Sequence, residues 1–326
     1  MSAGCNRVRT ILAAAAMAVV ASMCGAQLHA ADRLPWQMHN RMVCVITEGN
    51  DAIYVDMPGH FDVGSPSISP DGKNIAFDAL TIGEKGVRET WLVSVDGKRL
   101  HKLVDGATPR WSPDRKRLLI TRDVAAGLPG LERLTPTLFE FDLATSKDRM
   151  LCQGRFGDWS PDGNRIAFSR GGEVVSNSGV HPGAKLFIAK ADGSDPQETG
   201  EGDWPSWSPD GKKIALYVEE EGARVFYVLD LETKKRSKLG LGFYRAQWAG
   251  DSGSVVSNGI LGIAPSGAFY RFPARFWLKS PDKPDFFLTD LDNAWSPCVS
   301  RDGKTMAFIV DSAKRQSHSG NAKAKD

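Results

Sequence analysis

The sequence predicts an all-β fold, a six-bladed β-propeller in which one composite blade closes the ring from both chain ends. Three observations predict it. A ten-residue unit recurs six times, the copies lie about one blade apart, and the strands left over at the two ends add up to one more blade.

The unit is clearest at Trp207–Leu216 (WSPDGKKIAL), with close copies at Trp159–Phe168 (WSPDGNRIAF) and Ile68–Phe77 (ISPDGKNIAF). Trp111–Ile120 (WSPDRKRLLI) has Arg115 in place of Gly, and Trp248–Val256 and Val299–Phe308 are worn copies. Each copy reads as a β-hairpin. Pro presets φ near −65°, Asp bonds a nearby backbone N–H, and Gly takes the left-handed conformation that closes the turn. At Arg115 that conformation costs about 1 kcal/mol. The flanking residues alternate apolar and polar and read as half-buried strands.

The residues that open the copies lie 43, 48, 48, 41 and 51 residues apart. Four short strands and their turns need roughly 40–50 residues, and no 3.6-residue period of a helical repeat is visible. A second turn signal falls inside each period, at Asp96-Gly97, Asp142–Thr145, Asp192-Gly193 and Asp230–Thr233, each after a β-rich run. One blade is therefore an inner strand, the Ser-Pro-Asp-Gly turn, a second strand, a variable loop, a third strand, an Asp turn and a fourth strand. Arg41–Thr47 and Ala52–Asp56 precede the first copy, while Pro297–Ser300 and Met306–Val310 follow the last with nothing after them. Joined, they make the composite blade and remove open sheet edges. The propeller then occupies residues 41–311.

Repeated WSPDG-x-x-IAF units over residues 40–311 resemble the WD40-like Pro-Asp repeats of the TolB-like β-propeller family. The resemblance implies a propeller that presents its loop face to a protein or peptide in the cell envelope. It does not extend to the α/β domain that precedes the propeller in that family.

Composition sets the remaining bounds. A net charge of +2 gives no electrostatic case for nucleic acid. Met1–Ala30 reads as a signal peptide, with Arg7 and Arg9 before the apolar run Ile11–Val20, which is too short to span a bilayer. Cleavage after Ala26 or Ala30 sends the chain to the periplasm or outside the cell. Residues 31–40 are a lead-in and residues 312–326 a polar, disordered tail. Cys44, Cys152 and Cys298 remain, an odd number without a spacing motif, and read as small buried thiols. No metal-ligand spacing and no cofactor motif is present, no segment is expected to span a membrane, and a monomer is expected.

The loops after the second strands share a face with the entries to the inner strands, and function is expected there. Three residues before the opening residue stand Ser65, Thr108, Phe156, Trp204 and Arg245, with Trp295 four before Val299 in the sixth copy; one before it stand Ser67, Arg110, Asp158, Ser206 and Gln247, with Pro297 two before Val299. Phe156, Trp204 and Trp295, with Tyr244, beside Asp158, Asp203, Arg110 and Arg245, form the candidate mouth for a peptide or sugar. The ordinary alternative is that the aromatics pack between blades and the charges solvate the rim. Gly250–Ser254 imitates a serine-protease nucleophile segment, but it falls where the fifth turn belongs, and His60, His101 and His181 lie in unrelated segments. Glu219–Glu221 reads as a solvated acidic turn. No catalytic residue is assigned. A non-catalytic envelope scaffold is expected; the alternative is a hydrolase or lyase acting on a saccharide or peptide at the channel mouth. An enzyme would gather His, acidic and basic groups in one pocket, a scaffold an aromatic patch without them.

Overall fold

Runs such as Ile75-Ala76-Phe77 and Ile166-Ala167-Phe168 put apolar groups on both sides of a pleat, so strands built from them need cover on two faces. The computed structural model provides it. It describes residues 41–47, 52–57, 59–82, 87–126, 133–172, 181–220, 223–241, 243–248, 253–259, 275–280, 283–287, 294–302 and 304–311. The expected signal peptide, the lead-in, the tail, most of the variable loops and Gly250–Ser252 lie outside the described residues. The described residues hold no helix, and so none long and apolar enough to cross a membrane.

The strands run in order β1 (Arg41–Thr47), β2 (Ile53–Val55), β3 (His60–Ile68), β4 (Asn74–Thr81), β5 (Arg88–Ser94), β6 (Leu100–Asp105), β7 (Ala107–Trp111) and β8 (Arg117–Ala126). Next come β9 (Arg133–Asp142), β10 (Lys147–Gln153), β11 (Arg155–Trp159), β12 (Arg165–Arg170), β13 (Lys185–Lys190), β14 (Gln197–Glu201), β15 (Asp203–Trp207) and β16 (Lys213–Glu220). The last are β17 (Ala223–Asp230), β18 (Arg236–Leu241), β19 (Phe243–Trp248), β20 (Val255–Gly259), β21 (Arg275–Ser280), β22 (Lys283–Phe287), β23 (Ala294–Val299) and β24 (Thr305–Asp311). They form four-stranded antiparallel sheets, in which β3–β6, β7–β10, β11–β14, β15–β18 and β19–β22 each take four consecutive strands. A further sheet has the order β2-β1-β24-β23, with β1 against β24 from Arg41 opposite Asp311 to Thr47 opposite Thr305. The architecture is a β-propeller.

Sheets pack face to face through the second strands. Leu119 and Leu138 meet Trp159, Ile166 and Phe168; Ala167 and Leu186 meet Trp207, Ile214 and Leu216. Ala215 and Tyr217 meet Ala246 and Trp248, and Val256 meets Cys44 and Phe308. Val43, Val45 and Ala307 meet Ile75 and Phe77, and Ala76 meets Leu118 and Phe141. Each large side chain buried this way stabilises the fold by about 1.5–3 kcal/mol. The expected half-burial is corrected here: Ile75, Ala76 and Phe77 are all 0% exposed, because each sheet is sandwiched between two others. Water reaches the fourth strands instead; in β10 the run Lys147–Met150 is exposed.

The turns close as their chemistry dictates. Gly72, Gly163 and Gly211 have φ of 71–73°, and Arg115 takes the same region at 65°. The Gly72 N–H donates to the Ser69 carbonyl at 2.8 Å. The Ser hydroxyl, which turn rules alone did not single out, ties the loop together: Ser160 Oγ donates to Asp162 Oδ1 (2.5 Å) and accepts the Arg165 N–H (2.9 Å). The same pair of bonds recurs at Ser69, Ser112, Ser208 and Ser300. Across the fifth turn Trp248 pairs with Val255, so the protease-like segment occupies the hairpin position. Cys44, Cys152 and Cys298 are free thiols, two buried and one half-buried. Burial pushes the Cys44 thiol up to about 12 against a bond from Tyr54.

Candidate functional site at the entry of the inner strands

Every inner strand slips register shortly before the residue that opens its turn. In β11 the pairing passes from Arg155–Ser169 to Asp158–Ala167, and in β15 from Asp203–Tyr217 to Ser206–Ala215. One extra residue makes each a bulge, which re-aims side chains at a sheet edge. The residue on it is left-handed: Ser65 (φ 49°), Thr108 (53°), Phe156 (57°), Trp204 (52°) and Ser296 (49°). Such φ values are outliers for bulky residues and cost about 1–2 kcal/mol. Since the kink recurs under Ser, Thr, Phe and Trp alike, it belongs to the architecture. The side chain mounted on it is the variable part.

A cross-sheet bond holds three of these kinks. Asp78 Oδ2 accepts the Thr108 N–H (2.8 Å), Thr121 Oγ1 accepts the Phe156 N–H (3.3 Å), and Ser169 Oγ accepts the Trp204 N–H (3.2 Å). These acceptors are the polar residues that directly follow the apolar triplet in each second strand. Asp78 in turn pairs with Arg88, which also holds Asp62; the two carboxylates outweigh the burial of Arg88 and raise its pKa.

Two of the kinks bring aromatics together. The Phe156 and Trp204 rings stack at 3.7 Å with planes 17° apart, and His181 tilts against Phe156 at 5.5 Å. Both stacked residues are half-buried, and Trp204 Nε1 is buried without an acceptor. Asp203, 2% exposed, lies beneath. Its Oδ2 receives His181 Nδ1 at 2.8 Å and the Tyr217 hydroxyl at 3.1 Å, and its Oδ1 accepts the Trp204 N–H at 3.0 Å. A carboxylate accepts, so Nδ1 carries a hydrogen in this contact. Burial, then the Asp203 charge, pushes the Tyr217 phenol up. Arg155 donates from Nη2 to the Gly171 carbonyl at 2.6 Å, while its buried Nε has no acceptor. His181, Asp203, Tyr217 and Glu219 line a cleft of about 20 Å³, room for one water.

Deeper along the inner strands lie Arg110, Asp158 and Arg245. Arg110 is 5% exposed and Arg245 3%, which speaks against the alternative that these charges solvate a rim. Asp158 Oδ1 lies 3.3 Å from Arg245 Nη2, and its Oδ2 accepts the Trp207 N–H at 2.7 Å.

The candidate residues thus divide. Phe156, Asp203 and Trp204 meet at the entry, and Arg110, Asp158 and Arg245 meet below it. Tyr244 and Trp295 are placed by backbone alone, their side chains lying outside the described residues. The sixth copy needs a correction: Ser296 is the left-handed residue, and Cys298, opposite Ala307, stands where Asp158 stands opposite Ala167. Trp295 and Pro297 are each one residue off, and Trp295 takes the place of Arg155 and Asp203. In β19 the slip spans Phe243 to Gln247, one residue more than elsewhere, which sets Arg245 in the bulge. His181, Tyr217 and Arg155 were missed. A usable signal for Tyr217 was its polar group directly after Ile214-Ala215-Leu216; His181 carries none. Among the described residues no three His, Cys, Asp or Glu side chains converge as a metal site.

No family model and no curated protein matches the chain, whereas solved structures do. TolB from Acinetobacter baumannii superposes with a TM-score of 0.51 at 17% identity, over 84% of this chain and 64% of that one. This chain therefore spans less than two thirds of that protein. A putative TolB from Agrobacterium tumefaciens superposes with a TM-score of 0.57 at 16% identity, over 84% and 98%. The fold is a TolB-like β-propeller. A manganese complex of oligogalacturonate lyase matches comparably, with a TM-score of 0.51 at 15% identity over 80% and 79%. Likeness at this identity carries the TolB-like architecture and leaves activity to the residues of the site.

Proposed function

We propose that the chain is a non-catalytic, envelope-located binding propeller that takes a protein or peptide segment on the Phe156–Trp204 stack. The stack carries the reading. It is a rigid aromatic platform mounted on two adjacent kinks, each latched by a neighbouring sheet. The same reading takes the four-stranded sheets as six blades about one axis, with the sheet of β2, β1, β24 and β23 closing the ring. Export by Met1–Ala30 and a monomeric state complete it.

Capture from envelope extract with wild type beside a Phe156→Ala, Trp204→Ala double variant tests this. A partner recovered by wild type and lost by the variant is expected; identical recoveries, or none, would move the site elsewhere.

One observation favours a second reading. His181 is oriented by buried Asp203 next to Arg155, the kind of grouping expected of a hydrolase or lyase. Turnover of an oligosaccharide or peptide library that disappears in His181→Ala would replace the scaffold reading with this one.

A further inference from the structure

We infer that the channel holds one small monovalent anion, a halide or a carboxylate, between the guanidinium groups of Arg110 and Arg245. The inference stands apart from the docking reading above, since it concerns buried groups beneath the stack. Two cations share one carboxylate there, Asp158, and Asp158 already accepts the Trp207 N–H. Arg110 gives Nη1 to the carbonyls of Pro66 (3.3 Å) and Pro109 (2.9 Å). Arg245 gives Nη2 to the Pro205 carbonyl and to Asp158. Among the described residues three buried donors have no acceptor: Arg110 Nε, Arg245 Nε and Arg245 Nη1.

Among the described residues, neither remaining neighbour supplies the missing charge. Asp78 is engaged by Arg88 and by the Thr108 N–H. Burial pushes the Cys298 thiol up to about 12 even with Arg110 nearby, so it is neutral. Burial and then the Arg110 charge lower the Arg245 pKa to about 9, which still leaves the group charged at neutral pH. Water can satisfy N–H donors but not an excess positive charge in a site this enclosed, whereas an anion satisfies both. Guanidinium is weakly hydrated and presents its donors as a planar fork, which suits a carboxylate or a halide. One surplus positive charge sets the anion at a single negative charge.

The test is thermal unfolding of the full chain at constant ionic strength in sodium HEPES, titrated separately with chloride and with acetate. Wild type should show a saturable rise of a few degrees with at least one of them, and the two titrations tell halide from carboxylate. Arg245→Gln should lose the saturable response. Asp158→Asn keeps an acceptor for the Trp207 N–H but removes the competing charge, so its half-saturating concentration should fall about tenfold. No saturation in wild type with either anion, or the same response in wild type and both variants, overturns the inference. If Arg245→Gln does not fold, equal half-saturation in wild type and Asp158→Asn is enough to overturn it.

Discussion

The two ends of each inner strand differ in kind. At the turn end the sequence repeats itself, and so does the structure: the same Ser–Asp bond and Ser-to-backbone closure at Ser69, Ser112, Ser160, Ser208 and Ser300, and the same left-handed fourth residue at Gly72, Arg115, Gly163 and Gly211. At the entry end the backbone repeats while the side chains do not. The kink that carries Ser65 and Thr108 carries Phe156 and Trp204 two sheets further on. Uniform chemistry marks what every sheet needs to stand; a uniform backbone under varied side chains marks where the molecule was free to build a site. Substitutions at the turn end should therefore move stability and leave partner capture alone, and substitutions at the entry end should do the reverse.

The largest effect is expected between the two ends. Phe168→Ala empties a fully buried position that packs against Leu119 and Leu138 and should cost about 3–5 kcal/mol, read by chemical denaturation. Ser160→Ala removes both bonds of one turn and should cost about 1–2 kcal/mol in the same assay with partner capture unchanged. A loss of capture would break the division between the two ends. Arg115→Gly relieves the strained fourth position and should stabilise the fold by about 0.5–1 kcal/mol, net of an exposed ion pair with Asp71.

The smallest effect is the acid limb. The hydroxyls of Ser69, Ser160 and Ser300 hold Asp71, Asp162 and Asp302 below the ordinary carboxylate value of 3.8. Because the folded values are lowered, this stabilisation is complete above about pH 4. It fades as pH falls through the folded values, since the unfolded chain binds protons first. Melting temperature followed downward from pH 5 should fall, and Ser160→Ala should flatten part of that fall. An unchanged slope would mean that Asp162 gains nothing from its serine.

The sequence made the turn end legible because its chemistry is local: Pro, Asp and Gly act within four residues, and their spacing counts the sheets. The composite sheet was legible for a similar reason, as unpaired strands at both ends need a partner. The entry end was half legible. Phe156 and Trp204 stood out as aromatics at one register position, but His181 reaches Asp203 from across a loop of variable length, and no spacing encodes that. Trp295 was misplaced by one residue because it lies four residues before Val299, whereas the bulge is the same as in the other copies and sets Ser296, three before, on the kink. The half-burial expected of the second strands failed because alternation was read around the turns, while the Ile-Ala-Phe triplets themselves are continuous and are covered on both faces.

Thr47 and Thr305 touch through their hydroxyls although 258 residues separate them along the chain. The pairing of β1 with β24 thus demands the longest loop closure in the described structure, and such closures slow folding. Until residues 305–311 arrive, β1 offers a naked backbone edge that any other extended segment can zip onto. During synthesis the nascent protein is consequently at its most aggregation-prone just before its final described strand docks, and a chaperone that shields this first hairpin would have its greatest benefit there.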